Sequence, residues 1–120
     1  MYLLTFVLHN PDLLEEVLEA WEKVGVKGVT ILPGTGLGRM SQSRFMRDDL
    51  PLMPSLEDFY EEHPQMMSRT MFTALKDDSL IDRILEVTQS LVGDLSQPET
   101  GILFVTPIVR AHGLEKGKKK

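Results

Sequence analysis

The chain has 120 residues, no cysteine, a formal charge of -5 and 42% hydrophobic residues, enough apolar content for one domain with its own core. Its acidic residues are scattered and no basic surface is available to neutralise a run of phosphates, which excludes nucleic acid as a partner. Without cysteine there are no disulfides, thiolate metal sites or thiol nucleophiles, and no apolar stretch approaches the ~20 residues that span a bilayer, so a soluble, cytoplasmic protein without membrane insertion is expected.

Leu3 to His9 is rich in Leu, Phe, Val and Thr and reads as a strand. The apolar run is short, has no basic segment before it and leads into His9-Asn10-Pro11 instead of a small-residue cleavage site, which argues against a signal peptide. Asn10 suits an N-cap and Pro11 the first helical position. Leu14, Val17, Leu18, Trp21 and Val24 then recur at helical intervals, with Glu15, Glu16, Glu19 and Glu22 on the other side and Gly25 as a left-handed C-cap. Val29 to Leu32 reads as a second strand, stopped by Pro33-Gly34.

The same order returns after an insert. Thr70 to Leu75 reads as a strand, Asp78 or Ser79 as an N-cap, and Leu80, Ile81, Ile84, Leu85, Thr88 and Leu91 as one face of a helix closed by Gly93. A turn-rich stretch from Asp94 to Gly101 leads to a last strand from Ile102 to Val105, with a kinked continuation through Pro107 to Val109. The order strand-helix-strand, insert, strand-helix-strand matches an α+β, ferredoxin-like β-α-β-β-α-β domain, an antiparallel sheet with two helices on one face. One domain is expected over residues 1–113, followed by a disordered, Lys-rich tail at 114–120.

Counting faces has a consequence. Leu4, Phe6 and Leu8 point one way and Leu3 and Val7 the other, and Ile102 and Phe104 oppose Leu103 and Val105. Two helices cover one face only, and at about 25 cal/mol per Å² an open second apolar face forfeits much stabilisation. A closed homo-oligomer is therefore expected, with a monomer whose insert folds back over the sheet as the competing reading.

The insert, residues 33–68, is far longer than the usual connection of about 4 to 6 residues, and a functional, flexible loop is expected there. It holds a glycine-rich start, Arg39, Arg44, Arg47, breakers at Pro51 and Pro54, and a segment from Ser55 in which Leu56, Phe59 and Tyr60 could dock on a partner or on the protein's own body. Five of the seven methionines, Met40, Met46, Met53, Met66 and Met67, fall in it and suit adaptable contacts as well as filler packing.

Gly34-Thr35-Gly36-Leu37-Gly38 follows a strand, but no helical stripe opens after it, so a dinucleotide fold is excluded. Two readings stay open, an anion-facing turn assisted by Arg39 and a hinge for the insert. His9, His63 and His112 have no metal-ligand spacing, and no catalytic set of Ser, His and Asp is present, so no enzyme activity is expected.

Val24-Gly25-Val26-Lys27-Gly28-Val29-Thr30 followed by Gly36-Leu37-Gly38-Arg39, then Asp82-Arg83-Ile84 and Thr100-Gly101-Ile102-Leu103-Phe104-Val105-Thr106-Pro107, resembles the PII nitrogen-regulatory family across nearly the whole chain. The resemblance implies a homotrimer, an effector such as an adenine nucleotide or small anion bound between subunits, and a protein partner, a transporter or an enzyme, engaged through residues 33–68. It assigns Gly28, Val29 and Thr30 to the adenine pocket, Gly36 and Gly38 to the loop base, and Gly101 to the turn before the last strand; Leu37 and Arg39 beside that base are further ligand-binding candidates, and Arg39, Arg69 or Arg110 could hold an anion. The chain departs from the family at Met40, at Ile102 where a phosphate-binding lysine is usual, and at Ala111-His112-Gly113-Leu114 where an arginine pair is usual. These departures argue against tight ATP binding in the family's usual mode. The alternative is a ferredoxin-like trimer of the divalent-cation tolerance type.

Overall fold

The computed structural model describes residues 1–34 and 67–114. Strand β1, Tyr2–Leu8, is followed by a 3-10 turn over Pro11–Leu13, helix α1 over Leu14–Val24, strand β2 over Thr30–Gly34, strand β3 over Ser68–Leu75, helix α2 over Ile81–Val92 and strand β4 over Gly101–Pro107. The strands form one sheet in the order β2-β3-β1-β4, every neighbouring pair antiparallel. This is the expected α+β, ferredoxin-like arrangement.

Local chemistry sets the boundaries. The Asn10 side chain accepts the Asp12 N–H at 3.0 Å, so the cap and Pro11 act on a 3-10 turn that hands over to α1 at Leu14. Gly25 ends α1 at φ 117, a left-handed conformation that its missing Cβ permits, and its N–H bonds back to Glu22. The expected cap of α2 is corrected: Leu80 occupies the cap position without a side-chain bond, and Asp77 instead accepts the Ser79 N–H one turn earlier. The stop expected at Pro33-Gly34 is also corrected, since Pro33 pairs with Arg69 and Gly34 with Ser68 inside β2. Proline is tolerated there because β2 is an edge strand, where one side of the backbone has no ladder partner. The last strand ends at Pro107, short of the continuation to Val109.

The core lies between the sheet and the two helices. Leu4, Phe6 and Leu8 of β1, Met71 and Leu75 of β3, Val17 and Trp21 of α1, and Ile84 of α2 are buried together. Phe6 and Trp21 meet with ring centroids 6.2 Å apart. The indole N–H of Trp21 donates to the Thr88 hydroxyl at 2.8 Å, and that hydroxyl donates to the Ile84 carbonyl at 2.6 Å. A threonine on the apolar stripe of α2 is thus satisfied without water, and it ties the two helices together. Met67, counted from sequence among the adaptable methionines of the insert, is a buried packing residue.

Among the described residues, no helix lies over the opposite face of the sheet. Registration places Leu3 and Val7 of β1, Phe72 of β3, Leu32 of β2, and Ile102 and Phe104 of β4 on that face. Leu32, Ile102 and Phe104 stay about half exposed at 48%, 49% and 51%. Both faces of the sheet are apolar, as the alternation implied.

Candidate functional site

The residues singled out from sequence fall into three places. Gly28 is exposed in the connection from α1 to β2, Val29 packs against the core, and Thr30 opens β2 with its side chain exposed. The Gly28 carbonyl accepts the Thr73 hydroxyl at 2.7 Å, which fixes this connection onto β3. Gly36, Leu37, Gly38 and Arg39 lie outside the described residues, as do Met40 and the segment from Ser55 to His63.

Gly101 starts β4, on the other edge of the sheet. Pro33, Arg69, Leu8 and Gly101 form one row across the four strands, and Thr30, Phe72, Thr5 and Phe104 form another. Three strand spacings separate β2 from β4, about 14 Å. The fold therefore does not bring Gly28–Thr30 and Gly101 to one spot within one chain. Gly101 also has a reason for being glycine that needs no ligand: its φ is 146, and a Cβ would lie 2.5 Å from the Val7 carbonyl oxygen and 2.8 Å from the Phe6 ring.

Arg110 is exposed beyond the end of β4, at the end of the sheet where Ile108 N–H reaches the Met1 carbonyl, and it lies 3.1 Å from His112 Nε2. Arg69, another cation considered for an anion, spends one guanidinium nitrogen on the Met67 and Ser68 carbonyls at 3.0 and 3.2 Å. Ile102 points to the open sheet face. The turn before Gly101 is held by Asp94, whose carboxylate accepts the Ser96 N–H at 2.9 Å and the Ser96 hydroxyl at 2.8 Å. Those bonds, the backbone one foremost, hold the Asp94 carboxyl below its ordinary value. Glu99, in the same turn, has φ 64.

Two residues that sequence reasoning passed over matter to this geometry. Thr73 anchors the Gly28 carbonyl, and the Ser68 hydroxyl donates to the Gly34 carbonyl at 3.1 Å, where β2 and β3 leave for the insert. Thr73 carried a signal, because it shares the inward parity of Met71 and Leu75 and a buried hydroxyl needs a partner. Ser68 carried none. Among the described residues, no three His, Asp or Glu side chains come together as a metal site would require, and no helix is long and apolar enough to cross a membrane.

The family model for nitrogen regulatory protein P-II matches residues 1–118. A nitrogen regulatory protein P-II of Azospirillum brasilense is 28% identical over 115 residues, spanning 92% of this chain and 88% of that protein. With the four-stranded antiparallel sheet, its two helices and a match over nearly every residue, the chain belongs to the nitrogen regulatory protein P-II family, whose members are regulatory signalling proteins.

Proposed function

We propose that this chain is a cytoplasmic signalling subunit that works as a homotrimer, binds a small effector between subunits and controls a protein partner, a transporter or an enzyme, through residues 33–68. The observation that carries this reading is the separation of the candidate ligand residues on opposite edges of one sheet, with an apolar face between them that no described helix covers. A neighbouring copy laid on that face removes Ile102, Phe104 and Leu32 from water and brings the β2 edge of one subunit toward the β4 edge of the next. The effector is an adenine nucleotide or another anion with modest charge. Ile102 supplies no cation beside Gly101, and among the described residues Arg69 directs one guanidinium nitrogen to its own backbone and Arg110 directs one to His112. A triphosphate needs more charge-assisted bonds, each worth about 1.5–3 kcal/mol, than a mono- or diphosphate does, and an isoleucine at position 102 removes one of them.

A thermal-shift panel of ATP, ADP, AMP, cyclic nucleotides, divalent metals and inorganic anions tests this. A ligand at ten times its dissociation constant adds about 1.4 kcal/mol, which is readable in a domain of this size. Stabilisation by a nucleotide or anion is expected, with AMP or ADP at least as effective as ATP. Stabilisation by a metal alone would replace this reading with the divalent-cation one.

A further inference from the structure

Strand β2 is the least secured element of the sheet and the one that joins the two regions of interest. Among the described residues it pairs with β3 only and its outer edge has no partner strand, and Pro33 carries no N–H. Its side chains contribute little burial, with Ile31 36% and Leu32 48% exposed. Two hydroxyls of β3 compensate at its two ends. Thr73, 4% exposed, donates to the Gly28 carbonyl at 2.7 Å just before the strand, and Ser68, 7% exposed, donates to the Gly34 carbonyl at 3.1 Å at its last residue. The donors belong to a strand paired on both sides, so the fixed partner is β3 and the moving partner is β2.

We propose that β2 is a transmitting strand: clamped at each end by one hydroxyl of β3 and otherwise weakly held, it loosens and tightens as one unit, so that a change at Gly28–Thr30 is felt at Gly34 and Ser68. A five-residue edge strand with few buried side chains has no interior anchor at which opening from one end would stop. Release of either clamp therefore lowers the opening free energy of the whole strand. The regulatory meaning rests on the proposed effector contact at Gly28–Thr30. The mechanical coupling does not, and the test uses no effector, so failure of either is seen separately.

The test is native-state hydrogen exchange on the full chain carrying Thr73→Val or Ser68→Ala. Valine keeps the shape of threonine and removes the donor, and the Gly28 carbonyl belongs to an exposed residue that water can reach. Thr73→Val should speed exchange at every protected amide of β2 through Gly34 by about tenfold, leaving β1 and α2 unchanged, and Ser68→Ala should do the same back to Thr30. Thr73→Ser, which retains the donor, should restore slow exchange. Acceleration confined to the substituted end, no acceleration, or equal acceleration in β1 and α2 would each overturn the proposal. Should Thr73→Val fail to fold, Ser68→Ala alone decides by its effect at Thr30.

Discussion

A methyl group at position 101 would meet the Val7 carbonyl oxygen and the Phe6 ring inside contact distance, in a backbone conformation that side chains rarely adopt. Gly101→Ala should therefore destabilise the fold by about 2 kcal/mol or more, from overpacking and backbone strain together. Urea unfolding measures this, and a loss below about 0.5 kcal/mol would mean that the close approach relaxes freely. Thr88 offers a second test in the core. Thr88→Val keeps the volume but leaves the buried Trp21 indole N–H without an acceptor, a cost of about 1–3 kcal/mol, readable through Trp21 fluorescence during unfolding. Replacement by serine, which keeps the hydroxyl, should recover part of it.

Turns and edges decided how far the elements could be read from sequence. Helices and strands with strong apolar periodicity were legible, since Val17 and Trp21, or Leu4, Phe6 and Leu8, can face the same way only in one kind of backbone. The extension of β2 through Pro33 and Gly34 was not, because it depends on an unpaired outer edge that only the assembled sheet defines. The same limit hid Ser68, whose acceptor lies 34 residues away in the chain. Nor did composition reveal that Asp77 caps its own turn and leaves Leu80 at the helix cap. Asp94 gives a prediction at this scale. Its folded-state carboxyl lies below the unfolded value, so its contribution to the turn before Gly101 is present at neutral pH and is lost as pH falls through about 3.9 toward the lower folded value. Carboxyl-carbon titration by NMR should place the Asp94 midpoint below that of an unfolded peptide, and a midpoint at or above it would contradict the Ser96 bonding.

For the whole molecule, the alternation of apolar residues in β1 and β4 exposed the need for a cover, and the sheet order then separated Gly28–Thr30 from Gly101 by the full width of the sheet. Sequence adjacency to motifs gave the candidate residues but not their division between two edges, because strand order is set by chain crossovers and not by local pattern. Phe104→Glu places a charge on the open face at a residue half exposed in the single subunit. It should leave the circular dichroism of the subunit unchanged and abolish assembly, since burying a carboxylate in an apolar contact is costly. The most direct measurement is the solution mass of the unsubstituted protein by light scattering. Three copies of the 13.6 kDa chain, about 41 kDa in all, are expected at micromolar concentration. A mass of one chain would contradict the account, because no single subunit brings both halves of the candidate site together.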